Sequence, residues 1–204
     1  PIILSNGKKR GNGRINCIAF DPFDKDIIWI GSPGGGLWKT TDGGNTWSTN
    51  TDNLPVIGVS SIAINPNDPQ EMYITTGDAH ASDTYSIGLL KSIDGGTTWD
   101  TTGIQYNVIN DKMVNKVVIH PNYTDSIFAV TDDHIMISPD GGNTWSQAIR
   151  PNGNILIGRF RDIEFKPDNP NILYAVKHTS GGSEFFKSED RGITWYSSNN
   201  GISP

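Results

Sequence analysis

With 23 glycines and 12 prolines among 204 residues, 35% hydrophobic and 19% charged, the chain is rich in turns and short of long amphipathic helices. A net charge of −6 and the lack of any run interleaving Lys or Arg with aromatic residues exclude a nucleic-acid partner from expectation. No apolar run approaches the roughly 18 residues that span a bilayer as a helix, so no membrane insertion is expected, and the single cysteine, Cys17, rules out an intrachain disulfide framework.

In chain order, the first predicted element is Ile18-Ala19-Phe20-Asp21-Pro22, a short alternating strand stopped by a proline that lacks the N–H a continuing ladder needs. Cys17, on the flank of this strand, reads as a small buried hydrophobe. A second strand follows through Trp29 and a third through Leu37-Trp38-Lys39, leading into Thr40-Thr41-Asp42-Gly43-Gly44-Asn45-Thr46-Trp47. A fourth strand leaves through the tryptophan. The same order then recurs: Ile62-Ala63-Ile64-Asn65-Pro66, Tyr73, Leu89-Leu90-Lys91 and the octapeptide ending in Trp99. It recurs with Val117-Val118-Ile119-His120-Pro121, Phe128, Ile135-Met136-Ile137 and the octapeptide ending in Trp145. It closes with Ile163-Glu164-Phe165-Lys166-Pro167, Tyr174, Phe185-Phe186-Lys187 and the octapeptide ending in Trp195.

The octapeptides all read S/T-x-D-x-G-x-T-W, and their aspartates lie 94 − 42 = 52, 140 − 94 = 46 and 190 − 140 = 50 residues apart. That spacing is the length of a four-stranded propeller blade with its loops. The expected fold class is all-β, a β-propeller of four blades at about 13–53, 54–107, 108–152 and 153–204 within one region, 1–204. The chain opens on Pro1 rather than Met, and its final residues, 199–204, are similar to the linker after the first blade, 50–55. These ends lead us to expect an arc of a larger, about seven-bladed ring.

Each octapeptide has a structural reading. Its Asp (Asp42, Asp94, Asp140, Asp190) can accept bonds from backbone N–H groups of its own turn, and its glycine (Gly44, Gly96, Gly142, Gly192) supplies positive φ. Its Trp (Trp47, Trp99, Trp145, Trp195) packs between strands with the indole N–H near a partner. Four equivalent copies indicate a folding device, because a catalytic site needs different residues in different roles.

These repeats resemble the Asp-box (bacterial neuraminidase repeat) propellers, which include sialidases, xyloglucan-cleaving glycoside hydrolases, sortilin-type receptors and a photosystem II assembly factor. The wording of Gly31-Ser32-Pro33-Gly34-Gly35-Gly36-Leu37-Trp38-Lys39 and Tyr85-Ser86-Ile87-Gly88-Leu89-Leu90-Lys91 is most similar to sortilin-like or glycosyl-hydrolase-like surface proteins exported by the type IX system of Bacteroidota. The resemblance implies secretion or cell-surface display. In xyloglucan-cleaving relatives an early blade reads T-D-x-G-G-x-Y with a catalytic Asp, and this chain has Pro33 there. A glycosidase needs two carboxylates in complementary protonation states, and proline supplies neither. The arginine motif of sialidases has only a faint echo in Gly13-Arg14-Ile15-Asn16. No catalytic residue is therefore assigned. The expected function is a binding or scaffold module of a larger exported protein, with a glycoside hydrolase fragment as the alternative.

A propeller presents ligands to the loops at its channel mouth. The longest such loop, 76–86, holds Asp78, His80 and Asp83, potential cation ligands near Asp78/Asp83, and Tyr85 as a stacking surface; capping of its own turns is the plainer reading. Tyr106 stands in the connection 102–115, and Arg150, Arg159 and Arg161 in the connection 147–161, where three arginines near one rim are suited to hold a carboxylate or sulfate; a solvated, paired surface is the plainer reading. His134 and His178 fall in separate loops, and no metal triad or cofactor site forms by spacing. The expected partners are a protein or glycan ligand, or neighbouring domains of the same exported protein.

Overall fold

The computed structural model describes residues 14–79 and 86–201. The sequence-assigned His80, Asp83 and Tyr85 lie outside them. The described residues form four four-stranded antiparallel sheets. The first holds β1 (Cys17–Phe20), β2 (Ile28–Ser32), β3 (Gly36–Thr40) and β4 (Ser48–Thr49). The second holds β5 (Val59–Ile64), β6 (Met72–Thr76), β7 (Gly88–Ser92) and β8 (Asp100–Gln105). The third holds β9 (Val114–Ile119), β10 (Ile127–Thr131), β11 (Ile135–Ser138) and β12 (Ser146–Gln147). The fourth holds β13 (Arg159–Lys166), β14 (Asn169–Thr179), β15 (Gly182–Ser188) and β16 (Tyr196–Ser197). Within each sheet the strands stand in chain order, and the first strands β1, β5, β9 and β13 pack against one another in sequence. This is the arrangement of propeller blades, and the core lies between the sheets.

The second strand always carries an aromatic residue paired with the third strand at one register position: Trp29 with Lys39, Tyr73 with Lys91, Phe128 with Ile137 and Tyr174 with Lys187. The turn after the first strand is held by the residue before its proline. Asp21 Oδ1 accepts from the Phe23 and Asp24 N–H groups, Asn65 Oδ1 from Asn67 N–H, and His120 Nδ1 from the Asn122 and Tyr123 N–H groups. The outer strands β4, β12 and β16 have two residues each, which blunts the sheet edges against further pairing.

Two sequence assignments need correction. Arg159 and Arg161 belong to β13 rather than to a connecting loop, because Phe160 and Ile163, set three apart by a bulge, both enter the core and carry the strand back to Arg159. His178 lies within β14, paired with Arg159 and Ser183, since the fourth sheet's second and third strands extend further than in the other sheets.

Candidate functional site

The octapeptide turns build themselves from local bonds. In the second sheet, Asp94 Oδ1 accepts from the N–H groups of Thr97 (2.9 Å) and Thr98 (2.8 Å) and from the Ser92 hydroxyl (2.8 Å), while Thr98 Oγ1 donates to Oδ2 at 2.6 Å. Ser92 Oγ in turn accepts from Gly96 N–H at 2.8 Å. Asp42 and Asp140 repeat the pattern, and in all three the Thr hydroxyl and amide hold the carboxyl down to about 2. Asp190 keeps the Thr194 and Ser188 bonds, and these outweigh its burial to lower the carboxyl. The indole N–H of Trp47, Trp145 and Trp195 donates to the carbonyl of the second turn glycine, whereas that of Trp99 is buried without a hydrogen-bond partner. Arg191 replaces the first glycine at φ 57° and lies over the Tyr123 ring at 5.5 Å, so it contacts the third sheet rather than standing free in solvent.

These turns also hold sheet to sheet. A Cβ on Gly96 would fall 2.8 Å from the Trp29 ring, and one on Gly192 2.6 Å from the Phe128 ring. The first aromatic belongs to the sheet preceding the Gly96 turn, and the second to the sheet preceding the Gly192 turn. Tyr73 Oη and Lys91 Nζ both donate to the Gly141 carbonyl of the following sheet, at 3.0 and 3.2 Å. All four carboxylates are engaged within their own turns, and the turns of Asp94, Asp140 and Asp190 also lie against the preceding sheet.

The chemistry not used in this way collects where the first strands meet. A cavity of about 910 Å³ is lined there by Asn16, Ser61, Asn115, Lys116, Arg161 and Asp162 among others. Asp78, at the head of the long loop, is buried at 2% exposure and pairs with Arg14; Asn16 Nδ2 also donates to it at 3.3 Å. Next to it, the Ala79 carbonyl accepts from Arg161 Nη1 at 2.7 Å, across from the second sheet to the fourth. Arg161 also donates to Asn115 Oδ1 at 3.2 Å, and Asn115 Nδ2 donates to Asp132, which is bound by Arg159 Nε at 2.8 Å. Burial and the nearby Arg159 lower the Arg161 guanidinium's affinity for its proton. Below this rim Lys116 bridges Asp162 (2.6 Å) and Glu164 (2.5 Å).

Of the sequence-assigned residues, Arg159 and Arg161 therefore come together through one hydrogen-bonded chain by way of Asn115 and Asp132, and Asp78 lies beside it as the chain neighbour of Ala79, which Arg161 binds. Tyr106 stands apart from the cavity, just beyond β8. It borders a separate hollow of about 450 Å³ with Ile87, Gln105, Asn107 and Val108, and its phenol is raised by burial. Arg14, Asn16, Asn115, Asp132 and Lys116 were not among the sequence-assigned residues. Their partners are far along the chain, and their sequence signal is a place on or beside a first strand, with the faint arginine-motif echo at Arg14 and Asn16, or, for Asp132, beside a loop after a second strand. Among the described residues no group of three or more His, Cys, Asp or Glu is placed to hold a metal ion.

The family model described as "Sortilin, neurotensin receptor 3" (Sortilin-Vps10) matches residues 88–204. The chain is 27% identical over 214 residues to xyloglucanase Xgh74A of Acetivibrio thermocellus, with 91% of this chain and 25% of that protein covered. It is 25% identical over 207 residues to an oligoxyloglucan-reducing end-specific xyloglucanase of Emericella nidulans, covering 96% of this chain and 24% of that one. The crystal structure of an ancestral GH74 enzyme superposes with a TM-score of 0.74 at 19% identity, over 93% of this chain and 26% of that chain. The chain thus spans about a quarter of the length of these relatives.

Proposed function

From the premise that the chain belongs to the Sortilin-Vps10 family, we propose that it is the glycan-binding β-propeller module of an exported protein, active at the cell surface or outside the cell. The observation that carries this reading is the rim at the channel: Arg161, Asn115, Asn16 and Lys116 border a cavity of about 910 Å³, the size that holds several sugar rings. Among the described residues Arg161 spends only Nη1, on Ala79 and Asn115, which leaves its Nε and Nη2 groups as donors for sugar hydroxyls, and Ile62, Val118 and Phe165 supply apolar wall in the same cavity. The xyloglucanase relatives favour a glycan over a protein as the ligand.

A second reading, part of a glycoside hydrolase, is favoured by the same relatives. Against it stands the pairing of the central carboxylates: Asp78 with Arg14, Asp132 with Arg159, and Asp162 and Glu164 with Lys116. A glycosidase needs two carboxyl groups presented to the scissile bond, one as acid and one as base or nucleophile, and each of these carboxylates is instead engaged by a cation of the chain itself. Pro33 occupies the position where the family resemblance calls for a catalytic Asp.

Titration calorimetry of the full chain with a xyloglucan heptasaccharide tests the proposal, together with a reducing-sugar assay on xyloglucan. We expect binding without release of reducing ends, weakened about tenfold or more in Arg161→Met, the usual scale for losing a charged hydrogen bond to a ligand. Absence of heptasaccharide binding would refute the glycan reading. Release of reducing ends would establish the second one.

A further inference from the structure

One motif serves neither the channel nor the octapeptide turns. Asn122-Tyr123-Thr124 is the one place in the 204 residues where an asparagine stands two positions before a serine or threonine with a residue other than proline between them. It lies in the turn that joins β9 to β10.

Backbone groups hold that turn. The Asn122 and Tyr123 N–H groups donate to His120 Nδ1 at 3.1 and 3.2 Å, and the Ser126 N–H donates to the Tyr123 carbonyl at 2.8 Å. From the octapeptide turn of the same sheet, the Gly141 N–H donates to the Asp125 carbonyl at 2.8 Å. The Tyr123 ring rests 4.9 Å from the His120 ring and 5.5 Å from the Arg191 guanidinium. Asn122 is thus fixed through its main chain alone. Its exposed side-chain amide has no hydrogen-bond partner among the described residues, and neither has the half-buried Thr124 hydroxyl. Other asparagines are spent on the fold: Asn45 and Asn143 each donate to a carbonyl of their own turn at 2.6 Å, and Asn115 to the Phe160 carbonyl at 2.7 Å. The fold therefore requires no asparagine side chain at 122.

The turn is also well placed. Asn115, at the channel rim, stands near the start of β9, whereas Asn122 follows its far end, about 20 Å away along an extended strand. A large group on Asn122 leaves the cavity open and stands beside Tyr123, which is 54% exposed.

We propose that Asn122 is an acceptor for an asparagine-linked glycan, a modification that rests on the export proposed above. The donor is an oligosaccharide on a polyprenyl diphosphate, and the catalyst is a membrane oligosaccharyltransferase met during export. Asn122 Nδ2 bonds to the anomeric carbon of the first sugar and loses one proton, while the bond from that carbon to the diphosphate oxygen breaks and the lipid diphosphate leaves with the electron pair. The Thr124 hydroxyl completes the acceptor.

Secretion of the full chain from yeast behind a cleavable signal peptide tests the proposal. Its mass should exceed that of the bare chain by a set of N-acetylhexosamine and hexose units, and peptide N-glycosidase should remove the excess and leave aspartate at position 122. Asn122→Gln and Thr124→Ala should each abolish the added mass, while Thr124→Ser retains it. None of these changes removes a hydrogen bond of the described fold, and near-ultraviolet circular dichroism should match the parent chain. Mass is read on secreted chain and on chain retained in the secretory compartments alike, with a glycoprotein secreted by the same cells verifying that the transferase is active. The bare mass, or added mass that survives in Asn122→Gln, overturns the proposal. Because the signal peptide supplies export, either result leaves the export reading untouched.

Discussion

Substituting alanine for the second glycine of each octapeptide separates the two jobs that residue performs. All four positions have positive φ: 94° at Gly44, 79° at Gly96, 88° at Gly142 and 81° at Gly192. Any of the four substitutions therefore incurs left-handed backbone strain, about 1–2 kcal/mol. The space around the new methyl differs. At Gly44 it meets only Trp47 at 3.7 Å, and at Gly142 it meets Thr102 at 3.4 Å and Tyr73 at 3.5 Å, both ordinary contact. At Gly96 it falls 2.8 Å from Trp29 and at Gly192 2.6 Å from Phe128, inside van der Waals contact with a buried ring on the neighbouring sheet. Overpacking of that kind adds about 1–3 kcal/mol. The expected order of destabilisation is Gly44→Ala and Gly142→Ala at about 1–2 kcal/mol, then Gly96→Ala and Gly192→Ala at about 2–5 kcal/mol. Urea unfolding of the four variants, followed by tryptophan fluorescence and far-ultraviolet circular dichroism, measures it. Equal losses at all four sites would refute the view that these glycines are sheet-to-sheet contacts and leave only their turn role.

The turn carboxylates of Asp42, Asp94 and Asp140, held down to about 2 by Thr and Ser partners, bind protons less readily folded than unfolded, where Asp titrates near 3.9. Their contribution is fully present above about pH 4 and is lost as pH falls toward 2; thermal unfolding midpoints between pH 5 and 2 should drop accordingly, and an Asp94→Asn variant should drop less steeply. His120 is pushed below its ordinary value by burial and then by Arg191, so the unfolded chain holds the extra proton just below pH 6.5. Stability from this residue is complete above that pH and declines as pH falls through it. His120→Asn, which reproduces the arrangement at Asn65, should abolish this part of the slope between pH 7 and 5, and an unchanged slope would contradict the assignment. Lys116→Met removes a bridge to Asp162 and Glu164, whose side chains are more than half exposed, so its cost should be at most about 1 kcal/mol and should shrink in 0.5 M salt. A larger, salt-insensitive loss in urea unfolding would mean that the lysine stem, not its charge, does the packing.

What could be read from the sequence divides along the chain distance between partners. Asp94 and Thr98 are four residues apart, and Ser92 and Gly96 likewise, so the bonds to the turn's carboxylate are written within one octapeptide. The same holds for the strand that ends at Pro66 and for Tyr73, whose positions repeat in each unit and so identify strand and sheet before any coordinates. The channel is written otherwise. Asp78 meets Arg14 and Ala79 meets Arg161 only because successive sheets turn about a common axis, which brings together residues 64 and 82 positions apart. No local pattern distinguishes Arg161, which closes the rim, from Arg150, which lies 5.8 Å over the Phe186 ring. One signal was available. Arg159-Phe160-Arg161-Asp162-Ile163 brings apolar residues back at Phe160 and Ile163, three apart because a bulge separates them, and it places both arginines on a rigid inner strand rather than a loop. A rim built on strands holds its donors in fixed positions before a ligand arrives. Under the proposed glycan reading the ordering cost of binding would be borne by the fold, and a change at Arg161 would be felt in affinity. A change at Asn115, which is buried and bonded to the Phe160 carbonyl of the next sheet, would be felt in stability as well.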